Sequence, residues 1–89
     1  MSKLFRLSVV TGDATVLDTA VSAVNLPMDF GSLGVLAHHA PMLCAVSQGL
    51  LRCTLEDGSA ARVRISGGVA SVADNEMTVL CGSAELLES

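Results

Sequence analysis

The fold class follows from one stretch near the middle of the chain, LLRCTLEDGSAARVRI, residues 50–65. Both ends of this stretch alternate apolar with polar side chains, and a period of two residues is typical of half-buried β-strands. At the second end, Arg62 and Arg64 lie on the polar face. Between the two ends, Asp57 and Gly58 tolerate the positive φ angles that tight hairpins require. The stretch therefore predicts a β-hairpin.

The same alternation recurs along most of the chain, whereas no stretch longer than one turn has the 3.6-residue period of an amphipathic helix. Turn signals such as Gly12-Asp13 separate the alternating segments, and Pro27 ends one of them because proline cannot donate to a strand ladder. The sequence therefore predicts an all-β sandwich or flattened barrel. We predict nine or so strands, at residues 4–11, 14–18, 21–27, 33–37, 42–46, 50–55, 61–65, 69–73 and 77–81.

Composition limits the classes of function that this chain can have. An 89-residue chain predicts one domain with a single modest core. The chain is 51% hydrophobic and only 16% charged, so we expect a partner to cover part of its surface. A net charge of −4 and an aromatic content of 2% argue against nucleic-acid binding, which needs a basic surface and stacking side chains.

The chain shows no targeting or membrane-spanning pattern. No apolar run approaches the roughly 18 residues that a membrane span needs. Lys3 and Arg6 stand near the N-terminus, but no long apolar region follows them, so the start of the chain does not resemble a signal peptide. The expected location is the cytoplasm or an equivalent compartment.

Both histidines stand side by side, His38 and His39, and suggest a metal site or a catalytic base at first sight. Adjacent side chains on an extended chain point in opposite directions, so two consecutive histidines rarely bind one metal ion together. We expect no metal and no cofactor. The stretch is better interpreted as a loop that turns at Ala40-Pro41, with one histidine packed and one exposed.

The cysteines and the paired glycines also have structural interpretations. Cys44, Cys53 and Cys81 form no CxxC pair, and their apolar settings predict reduced cysteines that act as small core side chains. The ISGG stretch, residues 65–68, lacks phosphate-loop spacing and predicts a turn where backbone passes close to backbone. Two alternatives remain open from the residues alone: a free-standing module that binds a small ligand or metal, and a small hydrolase using cysteine and histidine.

Five motifs in a fixed order resemble one protein family. They are GSLGV at 31–35, HAPML at 39–43, Gly49, SGG at 66–68 and TVL at 78–80. Together they resemble the N-terminal domain of the epsilon subunit of F-type ATP synthases, whose mitochondrial counterpart is called delta. The order and spacing hold from about residue 4 to residue 84.

This resemblance implies a ten-stranded β-sandwich of two five-stranded sheets, with a sandwich domain at residues 1–84 and a short tail at 85–89. It implies a non-catalytic subunit of the central stalk, the rotor, that links the gamma subunit to the membrane c-ring. Rotation driven by ion flow would thereby be coupled to ATP synthesis, with catalysis on the alpha and beta subunits. The expected location is then peripheral, on the cytoplasmic face of the bacterial inner membrane.

The resemblance also assigns residues to the c-ring. Ser32 stands where many relatives have glutamate, and His38 stands where they usually have a smaller residue. The residues expected to face the ring are Phe30, Gly31, Ser32, His38 and His39.

The expected contacts to the gamma subunit are Thr11, Met42 and Cys44. Relatives usually continue into two C-terminal helices that can inhibit ATP hydrolysis and in some cases bind ATP. Here SAELLES, residues 83–89, predicts only the start of such a region, with Ser83 as an N-cap. We therefore expect neither helix-mediated inhibition nor ATP binding by this chain.

Overall fold

The computed structural model describes residues 3–87, and within that range it contains nine β-strands and no helix. The predicted all-β class is confirmed. The strands are β1 Phe5–Val10, β2 Thr15–Met28, β3 Gly31–Leu36, β4 Met42–Val46, β5 Gly49–Leu55, β6 Ala60–Ile65, β7 Gly68–Ala73, β8 Glu76–Cys81 and β9 Ala84–Leu87.

The strands form one continuous sheet that folds over a single apolar core, and β2 belongs to both sides of it. We call one side the β4 half, which comprises β4, β7, β8, β1 and the first part of β2. We call the other side the β5 half, which comprises β3, the last part of β2, β5, β6 and β9. Counting β2 once in each half recovers the two five-stranded sheets implied by the resemblance. Neighbouring strands are antiparallel except for the parallel pair of β1 and β8.

The two strands predicted at 14–18 and 21–27 are one continuous strand, so that prediction is wrong in its boundary. Val21 is buried in the first part of β2, whereas Val24 and Leu26 are buried in the last part. The buried residues of β2 thus change from odd to even numbers. This change coincides with a register shift between Val21 and Ala23 in the pairing with β5. Such a bulge bends the strand, which explains why the sequence pattern breaks there although the strand does not.

The core between the two halves is entirely apolar, since no polar or charged side chain among residues 3–87 is buried. Burial raises the pKa of the Cys53 and Cys81 thiols. Cys53 and Cys81 are small core side chains, as predicted, whereas Cys44 is only half-buried. The core is lined by Phe5, Leu7, Val9, Val21, Val24, Leu26, Val35, Val46, Leu51, Cys53, Ala61, Val63, Ile65, Ala70, Val72, Met77, Val79 and Cys81.

The predicted helical start after Ser83 is wrong, because residues 84–87 form β9 and pair antiparallel with β6. Ser83 uses its backbone N–H to donate to Ser66 Oγ at 3.0 Å, which directs the chain along the sheet. The strand crosses the predicted domain boundary between residues 84 and 85. Residues 88 and 89 of the predicted tail lie outside the described range.

The predicted close approach of backbone at ISGG is confirmed at Gly68. A Cβ atom at this position would overlap the Leu80 carbonyl oxygen and would lie 2.9 Å from Cys81 Cα. Only a glycine lets β7 and β8 approach in this way, since every other residue carries the missing atom.

Candidate interaction surfaces

The β2–β3 hairpin carries the most exposed large apolar side chain of the described residues. Phe30 lies in its two-residue turn and is 77% exposed. The turn is anchored from below by Ser47, whose backbone N–H donates to the Pro27 carbonyl at 2.9 Å and whose hydroxyl donates to Asp29 Oδ1. The phenyl ring therefore stands on a braced hairpin rather than on a loose loop.

The loop between β3 and β4 is held by one asparagine. His38 has a φ of 63°, and its backbone N–H donates to Asn75 Oδ1 at 2.7 Å. Asn75 Nδ2 in turn donates to the Leu4 carbonyl at 2.8 Å. Its side chain thus ties the β7–β8 turn to the loop and to the start of β1. The next residue, His39, is half-buried, with Nδ1 2.7 Å from the Ala40 carbonyl oxygen.

The five residues expected to face the c-ring fall into two groups rather than one. Phe30, Gly31 and Ser32 lie at one end of β3, and all three are exposed. His38 and His39 follow the other end of β3. Ser32 belongs to β3 and lies four residues before its last residue, so at about 3.3 Å per residue roughly 13 Å of strand separates the two groups.

An apolar row crosses the outer surface of the β4 half. The strand register aligns Ala45 with Val69, Val69 with Leu80, and Leu80 with Val10, so that one outward row spans four strands without a polar side chain. Leu43 adds a second exposed position on β4. We call these five residues the apolar face. Leu43, Leu80 and Val69 are 75%, 55% and 44% exposed.

The three expected gamma contacts lie beside the apolar face, but two of them point inward. Met42 and Cys44 are half-buried and pack against the core, because they lie on the same face of β4 as buried Val46. Thr11 follows Val10 directly, and its hydroxyl accepts the backbone N–H of residues 13 and 14 in the β1–β2 turn. Sequence reasoning missed the outward Leu43, although counting back by twos from Val46 would have placed it on the opposite face from Cys44.

An exposed ion pair marks the polar end of the β4 half. Arg6 Nε and Nη2 donate to Asp18 Oδ1 and Oδ2, each at 2.8 Å. The guanidinium group lowers the pKa of the Asp18 carboxyl, and the carboxylate raises the pKa of Arg6. In the β5–β6 turn, hydrogen bonds from Ser59 lower the pKa of Asp57. All of these groups are solvent-exposed. The ion pair joins neighbouring strands β1 and β2, and the Asp57 hydrogen bonds lie within one turn.

Residues 4–87 match the family model described as the ATP synthase, Delta/Epsilon chain, beta-sandwich domain. The chain belongs to this family. The match includes all nine strands, and it agrees with the resemblance carried by the GSLGV, HAPML, SGG and TVL motifs.

Members of the delta/epsilon family include clear relatives of this chain. It is 43% identical over 84 residues to the ATP synthase epsilon chain of Symbiobacterium thermophilum, covering 93% of this chain and 60% of that protein. It is 39% identical over 80 residues to the chloroplastic epsilon chain of Cyanidioschyzon merolae, covering 90% and 60% respectively. The chain therefore spans about 60% of the length of these relatives.

Solved structures of ATP synthases contain the same fold. A chain of the Euglena gracilis mitochondrial enzyme, solved with its F1 part and c-ring, superposes with a TM-score of 0.88 at 26% identity and covers 97% of this chain and 55% of its own length. A chain of the Tetrahymena thermophila central stalk and c-ring superposes with a TM-score of 0.72 at 16% identity, over 90% of this chain and 64% of its own length, which supports the fold alone.

Two further observations concern the described part of this delta/epsilon domain. Within residues 3–87, no group of three or more histidine, cysteine, aspartate or glutamate side chains is placed to hold a metal ion. No helix in the same range has the length and apolar character needed to cross a membrane.

Proposed function

We propose that this chain is a non-catalytic rotor subunit of an F-type ATP synthase, part of its central stalk. It links the gamma subunit to the membrane c-ring and couples ion-driven rotation to ATP synthesis on the alpha and beta subunits. The observation that carries this proposal is the family match over residues 4–87, since the relatives are named ATP synthase epsilon chains. A subunit in this position transmits torque, and a sheet folded over an apolar core suits that task because packed interiors are stiff.

The gamma subunit docks on the apolar face. Contiguous exposed apolar side chains usually mark an interaction site, and this row is four strands wide. Thr11 borders it at the end of β1, whereas Met42 and Cys44 support β4 from inside. We therefore keep all three as gamma-side residues, and we assign the direct contacts to Leu43 and its outward neighbours.

The c-ring contacts the chain at two points. The braced hairpin presents Phe30 with Gly31 and Ser32, and the loop held by Asn75 presents His38 and His39. The roughly 13 Å of strand between the two groups suits a ring surface made of repeated polar loops, because adjacent copies can meet different contact points.

The burial of Cys53 and Cys81 argues against a hydrolase that uses either of them as its nucleophile. A nucleophilic cysteine needs a lowered pKa in an electropositive, accessible setting. Cys53 and Cys81 have raised pKa values because they are buried among apolar side chains. The chain is proposed to be peripheral to the membrane through its partners, on the cytoplasmic face of a bacterial inner membrane.

Reconstitution with purified partners tests the proposal. The chain is mixed with the gamma subunit of a bacterial ATP synthase and with its detergent-solubilised c-ring, and complexes are separated by size. We expect a stable complex with gamma at about 1 µM, a concentration that corresponds to roughly 8 kcal/mol of binding free energy. Failure to bind gamma at that concentration contradicts the proposal. A ligand- or zinc-dependent rise in melting temperature favours the binding-module alternative.

A further inference from the structure

The β7–β8 turn has an asparagine at a position where its backbone conformation favours glycine. The turn consists of two residues, Asp74 and Asn75, with φ angles of 52° and 61°. A two-residue hairpin turn with both φ angles positive is of type I′, and glycine is the favoured second residue of this type. What asparagine adds over glycine is the set of contacts that its half-buried side chain makes.

Asn75 joins the four strands that carry the apolar face. It lies in the turn between β7 and β8. Its side chain accepts the backbone N–H of His38 at 2.7 Å, in the loop before β4, and donates to the Leu4 carbonyl at 2.8 Å, directly before β1. Its own carbonyl oxygen accepts the backbone N–H of Arg6 on β1 at 3.2 Å. The loop before β4, the β7–β8 turn and the start of β1 therefore meet at one residue.

Of these four strands, β4 depends most on such an attachment. It is the end strand of the sheet, and among the described residues it pairs with β7 alone. After its last residue, the backbone N–H of Ser47 donates to the Pro27 carbonyl at 2.9 Å. Before its first residue, the loop is bonded to Asn75 through His38. An edge strand has few contacts and opens readily, so these two attachments hold β4 against the sheet.

The most exposed large side chain of the apolar face lies near the attachment at Asn75. Leu43 is 75% exposed and is the second residue of β4. The register aligns Met42 with Val72 and Leu43 with Ser71, close to the β7–β8 turn. A side chain that is already held in its bound position loses less conformational freedom when a partner docks. A fixed entry to β4 therefore favours docking at Leu43.

We propose that Asn75 is a positioning residue for the docking of the gamma subunit. It acts through β4: by holding the loop before this strand, it keeps Leu43 aligned with the outward side chains of β7, β8 and β1. This role rests on the proposed function, in which the apolar face docks gamma. Asn75→Gly keeps the turn but removes both side-chain hydrogen bonds, so docking must then also order the first residues of β4.

Calorimetric titration of the full chain with gamma tests this role. We expect Asn75→Gly to bind gamma at least about fivefold more weakly than wild type, because of the added ordering cost. Val63→Ala is the matched control, since it weakens the core on β6 and leaves the apolar face unchanged. It is expected to bind gamma within about twofold of wild type, although it also unfolds at a lower temperature. Wild-type affinity of Asn75→Gly, or an equal loss in Val63→Ala, overturns the inference.

A double-mutant cycle with Leu43→Ala separates positioning from general destabilisation. Effects on one shared contact are not additive, whereas effects of independent sites are. If Asn75 acts through Leu43, Asn75→Gly weakens gamma binding by less than about twofold once Leu43 is already alanine. An undiminished loss in the Leu43→Ala background contradicts the positioning role.

Asn75→Asp provides a second variant, which does not depend on the folding of the glycine variant. Aspartate keeps an acceptor for the His38 N–H and loses the donor to Leu4, so we expect gamma affinity within about threefold of wild type. A larger loss in a folded Asn75→Asp variant, with folding checked by thermal unfolding, rules out action through the loop before β4. Failure of the proposed function gives a different result, since the wild-type chain itself then does not bind gamma.

Discussion

Asn75 joins two distant parts of the chain to its own turn: its Oδ1 accepts the backbone N–H of His38 at 2.7 Å, and its Nδ2 donates to the Leu4 carbonyl. Asn75 also has a positive φ of 61°, which asparagine tolerates better than most residues. One side chain therefore fixes the shape of the β3–β4 loop that carries the two histidines.

The first prediction concerns this asparagine. Asn75→Gly retains the backbone conformation but removes both side-chain hydrogen bonds, so we expect a loss of about 1–3 kcal/mol in the free energy of unfolding. Asn75→Ala should lose a further ~1 kcal/mol, because alanine is strained at positive φ. Urea unfolding of both variants measures the difference. An Asn75→Gly variant as stable as wild type would show that the two hydrogen bonds do not hold the loop.

A second prediction separates stability from partner binding at His38. The hydrogen bond from residue 38 to Asn75 uses the backbone N–H, so His38→Gly keeps it. Glycine also adopts a φ of 63° without strain. We expect stability to stay within about 0.5 kcal/mol of wild type while c-ring binding changes. Loss of stability with unchanged ring binding would instead assign His38 to the fold.

A third prediction concerns the contact between β7 and β8 at Gly68. Gly68→Ala places a methyl group against the Leu80 carbonyl oxygen, so the strands must separate, and we expect a loss of at least about 3 kcal/mol or failure to fold. Gly12→Ala is the control, because no atom lies within 4 Å of its added Cβ. Soluble yield and thermal unfolding of the two variants measure the effect, and equal stability of both would contradict the close approach.

A fourth prediction follows from the lowered pKa of Asp18. In the folded protein the pKa of this carboxyl lies below its ordinary value of 3.8. Such a group stabilises the fold at pH values above 3.8, and this contribution is lost as the pH falls through the folded-state pKa. Asp18→Asn should therefore lose less stability than wild type between about pH 6 and pH 2.5. The residual acid sensitivity of the variant comes in part from Asp57, whose pKa is also lowered. Identical acid responses in urea titrations would refute the Arg6–Asp18 linkage.

Strand content was predictable because alternation is a local property of the sequence. Residues 50–65 predict the β5–β6 hairpin, and the structure has Gly58 at a φ of 89° in its turn. The continuity of β2 was not predictable, because the bulge after Val21 breaks the pattern while pairing with β5 continues. Neither was β9, since Ala84–Leu87 has good helix formers and only its pairing with β6 makes it a strand.

The interaction surfaces show the same division between local and non-local information. Phe30 could be singled out because it directly precedes the GSLGV motif, a local feature that carries the family resemblance. The row that joins Ala45 to Val10 could not, because it depends on the register of four strands.

The central claim is that the apolar face docks the gamma subunit, and one comparison of two variants tests it most directly. Leu80→Glu puts a charge in the middle of that face, whereas Leu36→Glu puts the same charge on another exposed leucine, on β3. Calorimetric titration with gamma should show at least about a tenfold loss of affinity for Leu80→Glu and little change for Leu36→Glu, because a buried unpaired charge is costly. Equal affinity of both variants and wild type would contradict the account.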